Sequence, residues 1–311
     1  MLSGLFLHCD YLPLLCWCII LKMFYILCKT NELQATCSAR FFSPPGGSHY
    51  LLLDEISHSL QQHGHEVRML LQLGNPVIKD SYQTSTWSLG EQYIAEYNGW
   101  FLEQQMQFLD NFNSFLKFMG HLSYQCDRLL VDTEIITFLQ IERYDIAILD
   151  AFNPCSFILA RKLGIHYIAF YPGALNGPLS TALPSPVSYI PVFSSQLSDQ
   201  MNLLARAKNL FYFLLAPIGQ ELVWSTFREV AERHLESGSS PGGLEELHQG
   251  AELWAFNTDF SLEFPQPLMP YTVLVGGVDS ASPSTPHTSP GNFSAPPLKR
   301  SCRTSGTWTD I

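Results

Sequence analysis

The 311-residue sequence carries 17 lysines and arginines against 28 aspartates and glutamates, a formal net charge of −11. No basic cluster is longer than a pair such as Lys299-Arg300, so the sequence offers no continuous positive surface for a phosphate backbone, and we expect no nucleic-acid partner. Hydrophobic residues make up 46% of the chain, enough for one large or two small folded domains, while a charged fraction of only 14% favours much buried or membrane-associated surface.

The first 45 residues are predicted to form an atypical hydrophobic leader. Residues 11–28 are apolar apart from Pro13 and Lys22, which is slightly short of the ~20 residues that a membrane-spanning helix needs. A secretory signal would carry a basic residue before the apolar run, and this sequence has Asp10 there instead. A signal peptide, a membrane anchor and a segment that targets nothing are the three interpretations of this leader.

The eight cysteines are concentrated towards the ends of the chain, and only Cys126 and Cys155 lie in its long middle. No two cysteines have the Cys-x-x-Cys spacing that is typical of zinc sites. We therefore predict neither a metal site nor a disulfide scaffold, and expect buried or free thiols. Four histidines lack a carboxylate at metal-ligand spacing and are expected to be ordinary surface or core residues: His58, His63, His65 and His121.

From residue 46 onwards the sequence alternates helix and strand in the manner of a parallel α/β sheet. After a Gly-Gly-Ser turn at residues 46–48, apolar side chains recur at helical spacing until Gly64: Tyr50, Leu53, Ile56 and Leu60. A short apolar strand follows at residues 67–73. The same unit returns as a strand at 144–149, a helix at 154–163 closed by Gly164, and a strand at 165–170. Such a repeat is typical of a doubly wound α/β fold.

The remaining segments are predicted from composition and periodicity. Residues 91–140 indicate two or three helices, including one at 133–142, whose aromatic side chains we expect to pack in a core. A long proline-rich segment at 171–195 is expected to serve a function. A helix at 199–236 is unusually apolar around residues 210–215, and strands at 252–257 and 273–275 close the sheet. Residues 279–311 are expected to be disordered and contain one glycosylation sequon, at Asn292.

Two polar residues follow predicted strands, where α/β folds place their chemistry. His49 lies in the first turn of a helix, whose dipole opposes the charged ring and favours a neutral imidazole that accepts a proton. Asp150 ends a strand, and a carboxylate there would fix the tautomer of a histidine and stabilise its protonated form. The alternatives are a purely structural His49 and an Asp150 that caps the helix beginning near Pro154.

Several motifs are shared with a known family. They are the Gly46-Gly47-Ser48-His49 turn and the residues after it, Tyr144-Asp145, Asp150-Ala151-Phe152, Cys155-Ser156-Phe157, the run from Leu183 to Phe193, Ala251 to Trp254, Asn257 to Phe260, and Gly276-Gly277. On these residues the segment 46–278 resembles the amino-terminal half of the membrane-bound UDP-glycosyltransferases, the UDP-glucuronosyltransferase family. Its third subgroup, whose members use UDP-N-acetylglucosamine or UDP-glucose, is the most similar.

The resemblance implies a Rossmann-like acceptor domain of a GT-B glycosyltransferase, here with the donor domain absent. It also implies hexosyl transfer from a UDP-sugar to a lipophilic hydroxyl acceptor, with inversion, in the endoplasmic reticulum. By position, His49 resembles the catalytic base and Asp150 the carboxylate paired with it. No metal or resident cofactor is implied; the UDP-sugar is the donor substrate.

Two departures from the family pattern bear on activity. The stretch before the Gly-Gly-Ser turn contains Arg40, Pro44 and Pro45 in place of an aliphatic strand, which predicts that the sheet lacks its central strand. Resemblance stops after Val278, which predicts a truncated form without independent activity. The alternatives are a non-catalytic acceptor-binding or regulatory partner of full-length relatives and a poorly folded product.

Overall fold

The computed structural model describes residues 38–276, apart from the gaps 44–46, 74–83, 105–111, 143, 174, 176–182, 194, 236–241 and 262. Its strands are β1 (Ser38–Ser43), β2 (Glu66–Leu73), β3 (Thr84–Ser88), β4 (Ile146–Asp150), β5 (Tyr167–Tyr171), β6 (Leu253–Phe256) and β7 (Thr272–Leu274). They form one sheet in the order β3-β2-β1-β4-β5-β6-β7, and every neighbouring pair is parallel.

The helices run between these strands. They are α1 (Gly47–Gln62), α2 (Glu91–Gln104), α3 (Phe112–Val131), α4 (Thr133–Ile141), α5 (Pro154–Leu163), α6 (Leu203–His234) and α7 (Leu244–Gln249). α1 ends where Gly64 adopts a left-handed backbone at φ +87°, and α5 begins on an Asn153 cap and ends on left-handed Gly164. These start and stop residues explain why the two helix–strand units are readable from sequence.

Both faces of the sheet are covered, as a parallel sheet requires. Ile146 and Ile148 of β4 pack into a cluster with Leu53 and other residues of α1. The alternate residues Ala147 and Leu149 pack on the opposite face in a larger cluster that includes side chains of α3, α5 and α6. Because successive strand residues point to opposite faces, this separation follows directly from the apolar run. The predicted doubly wound α/β fold is confirmed.

The prediction that the sheet lacks its central strand is wrong. β1 is present as an interior strand, third of the seven in the sheet order, paired with β2 on one side and β4 on the other. Pro44 and Pro45 follow the last strand residue, Ser43, so neither removes a donor from the ladder.

The expectation of free thiols in the middle of the chain is also wrong. Cys126 of α3 and Cys155 in the first turn of α5 form a disulfide, with their Cα atoms 5.5 Å apart. The bond links two helices on the same face of the sheet. It was not foreseen because 29 positions separate the two cysteines, a spacing that carries no recognised signal.

Three expectations fall on residues outside the described ones: most of the leader, the Ser/Thr/Pro-rich tail, and the sequon at Asn292. Among the residues that the structure does describe, no helix combines the length and the apolar character needed to cross a membrane.

Candidate functional site

The strand order places two functional candidates side by side. β1 and β4 are neighbours in the sheet, and the connections leave them towards α1 and α5 on opposite faces. In doubly wound folds such a reversal of strand order opens a crevice at the carboxyl ends of the strands. His49, in the first turn of α1, and Asp150, the last residue of β4, both lie at this edge.

The two side chains are in direct contact although they are 101 positions apart. Nδ1 of His49 lies 2.6 Å from Oδ2 of Asp150. The Asp150 side chain is 1% exposed and its Oδ1 accepts a hydrogen bond of 2.9 Å from the backbone N–H of Phe152. Both carboxylate oxygens are therefore engaged, which fixes the position of the group that the imidazole faces.

The imidazole keeps one nitrogen available. The His49 side chain is 26% exposed, and its Nε2 makes no hydrogen bond to any described residue. When the ring is neutral, the contact with Asp150 holds the proton on Nδ1 and leaves the Nε2 lone pair free to accept one. The arrangement has the elements of a general base oriented by a carboxylate.

Burial and charge act on this histidine in opposite directions. Burial disfavours the protonated ring and would lower its pKa, but the negative charge of Asp150 and the hydrogen bond to it outweigh burial and raise the pKa of His49 above its ordinary value. The helix dipole alone would have favoured a neutral ring, so the carboxylate determines the direction.

An aromatic wall stands beside the pair, and sequence analysis assigned it no role in the site. The Phe152 ring meets His49 edge-on, with centroids 5.5 Å apart. Phe115 and Phe118 of α3 pack against Phe152 at 6.4 Å and 6.2 Å. At the end of β5, burial and the nearby charge of Asp150 raise the pKa of Tyr171. Among the described residues, the pair thus has aromatic rings beside it and a tyrosine hydroxyl that stays protonated near neutral pH.

The structural alternatives resolve residue by residue. The cap of α5 is Asn153, whose Oδ1 accepts from the Cys155 N–H at 3.0 Å, so Asp150 does not fill that position. His63 bonds to the carbonyl of Ser59, and the His121 ring packs at a tilt against Trp100, with centroids 4.5 Å apart. Within the described ranges, no group of three or more histidine, cysteine, aspartate or glutamate side chains could hold a metal ion.

Curated proteins that are similar to this chain are glycosyltransferases by name. The chain is 39% identical over 249 residues to UDP-glucuronosyltransferase 3A1 of Xenopus laevis, covering 78% of this chain and 47% of that protein. It is 39% identical over 242 residues to human UDP-glucuronosyltransferase 3A1, covering 75% and 46%. Human 2-hydroxyacylsphingosine 1-beta-galactosyltransferase is 29% identical over 240 residues, covering 74% and 43%.

Solved structures resemble the chain more distantly. Glycosyltransferase VinC in complex with dTDP is 13% identical with a TM-score of 0.39, covering 76% of this chain and 52% of that one. Spinosyn rhamnosyltransferase SpnG is 12% identical with a TM-score of 0.40, covering 76% and 49%.

The chain spans about half the length of the curated relatives it matches. The family model described as UDP-glucoronosyl and UDP-glucosyl transferase matches residues 41–292, which include every element of the sheet except the first residues of β1. The chain therefore belongs to the UDP-glucoronosyl and UDP-glucosyl transferase family.

Proposed function

We propose that this chain supplies the acceptor-binding half of a UDP-sugar-dependent hexosyl transfer to a lipophilic hydroxyl compound. The observation that carries the proposal is the 2.6 Å contact between His49 Nδ1 and the buried Asp150 carboxylate at the carboxyl edge of the sheet. Family membership supplies the reaction class, and the pair supplies a base where an acceptor hydroxyl would be activated.

In this proposal His49 Nε2 takes the proton of the acceptor hydroxyl as the oxygen attacks the anomeric carbon. A new carbon–oxygen bond forms, the bond from that carbon to the UDP oxygen breaks, and UDP leaves with the electron pair. Attack opposite to the leaving group inverts the configuration. Asp150 keeps the ring in the productive tautomer and stabilises the imidazolium that forms.

The aromatic wall favours a lipophilic acceptor. Phe152, which is partly exposed, meets the imidazole edge-on, and the buried rings of Phe115 and Phe118 pack behind it. Apolar rings beside one polar catalytic group are typical of sites for hydrophobic small molecules. An acceptor with an apolar body beside its hydroxyl suits this ring better than a strongly polar one would.

The UDP-sugar site is expected from the half of the relatives' length that this chain does not match. A deprotonated acceptor hydroxyl needs the anomeric carbon of a bound UDP-sugar to attack. We therefore expect no turnover from residues 38–276 by themselves.

An oxidising compartment is also part of the proposal. Disulfides persist in the lumen of the secretory pathway and are rare in the cytosol, and Cys126–Cys155 joins two core helices. The disulfide supports an endoplasmic-reticulum location, at the membrane or in the lumen.

The test is a chimera that joins residues 38–278 of this chain to the donor half of an intact relative, assayed with UDP-sugars and lipophilic phenols or sterols. We expect transfer that His49→Ala reduces by about 10²–10⁴-fold and Asp150→Ala reduces less. His58→Ala is the matched control, because His58 lies on the same helix as His49 and its Nε2 contacts Gln62 Nε2 at 2.8 Å.

An active chimera whose rate is unchanged by His49→Ala would overturn the role of the pair. An inactive chimera that still binds lipophilic phenols would instead favour the alternative function, a non-catalytic acceptor-binding or regulatory partner of full-length relatives.

A further inference from the structure

The first half of α6 exposes its apolar side chains. Seven of them form what we call the apolar stripe, and their side chains are 42–85% exposed. The members of the apolar stripe are Leu203, Leu204, Leu210, Phe211, Leu214, Leu215 and Ile218. At 3.6 residues per turn they occupy an arc of roughly 140° on one side of the helix. Single exposed leucines are ordinary, but a continuous stripe over four turns indicates a binding surface.

The opposite side of this half-helix is fixed by a polar residue. Asn209 is fully buried, and its Nδ2 donates to the carbonyls of Val187 and Ile190 at 2.9 Å and 2.7 Å. Its Oδ1 accepts from the Val192 N–H at 2.8 Å. The buried side-chain amide of Asn209 therefore uses both its N–H donors and its oxygen in hydrogen bonds. Because these bonds hold the opposite side of the helix against the domain, the apolar stripe faces outward.

The second half of α6 has the reverse arrangement. Val223, Trp224, Phe227, Val230 and Ala231 are buried in the main core cluster. This half fastens the helix to the domain, and Asn209 fastens the first half, which favours a helix that lies along a membrane surface over one that inserts end-on.

Charge is distributed to match an anionic surface. Arg206 and Lys208 project on the two sides of the apolar stripe, and no acidic residue occurs between residues 203 and 220 in a chain with a net charge of −11. Arg206 is held by a bond from Nε to the Met201 carbonyl at 3.1 Å, and Lys208 lies 5.7 Å from the centre of the Tyr212 ring. Basic residues flanking an apolar face are typical of helices that lie in the headgroup region of a membrane.

We propose that the first half of α6 docks in the plane of an anionic lipid bilayer, with the apolar stripe in the acyl boundary and Arg206 and Lys208 at the headgroups. A second copy of this chain is the less favourable occupant. Stripe-to-stripe pairing would bring the basic edges of one copy against those of the other, which disfavours association. The docking stands apart from the transferase role, since it involves neither His49 nor Asp150.

The first experiment measures flotation of the full chain with phosphatidylcholine vesicles that do or do not contain phosphatidylserine. We expect the Phe211→Glu/Leu214→Glu variant to bind at least about tenfold more weakly than wild type. Val131→Glu/Ile141→Glu is the matched control: it makes the same charge change at side chains 53% and 72% exposed, on α3 and α4. Arg206→Gln/Lys208→Gln is expected to weaken binding by about fivefold per charge, and only on vesicles with phosphatidylserine.

A second, local measurement separates α6 from any contribution of the apolar residues 11–28. Leu214→Trp and, as control, Ile141→Trp are each compared with wild type for fluorescence quenching by lipids brominated on their acyl chains. Added emission from Leu214→Trp is expected to be quenched and blue-shifted on vesicles, and that from Ile141→Trp unchanged.

The proposal is overturned if Leu214→Trp emission is not quenched, or if both double-glutamate variants float like wild type. Sedimentation that shows a dimer of the full chain in lipid-free buffer, lost in Phe211→Glu/Leu214→Glu, would assign the apolar stripe to self-association and equally overturn it.

Discussion

Removing the disulfide by Cys126→Ala/Cys155→Ala should markedly lower the free energy of unfolding. The bond closes a loop across a sequence separation of 29. In the chain-entropy account, a cross-link over about 30 residues restricts the unfolded chain by about 3.6 kcal/mol at 25 °C. That is a large share of the 5–15 kcal/mol that stabilises a typical domain.

The assay is equilibrium unfolding in urea, followed by far-UV circular dichroism. With an m-value of about 2–3 kcal/mol/M, the midpoint of the double variant should fall by about 1.2–1.8 M relative to oxidised wild type. Cys302→Ala, a cysteine outside the described residues, is the matched control and should leave the midpoint in place. In dithiothreitol, wild type and double variant should agree to within about 1–2 kcal/mol, the packing contribution of two buried sulfur atoms.

Equal midpoints for oxidised wild type and the double variant would refute this reasoning. So would peptide mapping that recovers Cys126 and Cys155 as alkylated free thiols from protein unfolded without reductant. The measurement also bears on the proposed compartment, because a bond that contributes nothing to stability gives no reason to prefer an oxidising lumen.

Two further predictions concern single buried polar groups. Asp150→Asn should lower the pKa of His49 in an NMR titration. The contact with Asp150 stabilises the protonated ring only in the folded chain. The free energy of unfolding of wild type, compared with that of this variant, should therefore fall as the pH rises from the ordinary value of 6.5 through the raised pKa of His49. An unchanged titration would contradict the pairing. Asn209→Ala should destabilise the chain by about 3 kcal/mol in urea unfolding, since three buried backbone partners lose their bonds. A loss below about 0.5 kcal/mol would show that water satisfies them.

Much of the fold was predictable because local signals agreed with tertiary structure. The spacing of Tyr50, Leu53, Ile56 and Leu60 predicted α1, and these residues do pack on the sheet. Gly164 predicted the carboxyl end of α5, and it does adopt the left-handed conformation there. Helix periodicity and glycine stops are set by residues near in sequence, which is why they can be read from it.

The misses share a different cause. Arg40, Pro44 and Pro45 predict that the central strand is absent, but β1 ends at Ser43, before the two prolines in sequence. β3, with the sequence Thr-Ser-Thr-Trp-Ser, has no alternation to reveal it and lies at the sheet edge, where burial imposes little pattern. Whether these segments form strands depends on pairing with other strands, and local sequence patterns do not reveal that pairing.

The candidate site divides in the same way. Resemblance paired His49 with Asp150, and adjacency of β1 and β4 brings them to 2.6 Å. The aromatic wall was not foreseen, because Phe115 and Phe118 lie on α3, far along the chain from His49, and reach the pair only through Phe152. The position of Phe152 two residues after Asp150 was the one local signal available.

Asn209 has a consequence for how the chain finds its structure. Hydrophobic burial by itself would favour a rotation of the first half of α6 about its own axis that turns the leucines of the apolar stripe onto the domain. Only one rotation lets the amide of Asn209 reach its three backbone partners, and any other leaves those groups buried and unpaired. A single polar side chain thus determines which side of the helix faces the domain, as a buried asparagine selects register in a coiled coil.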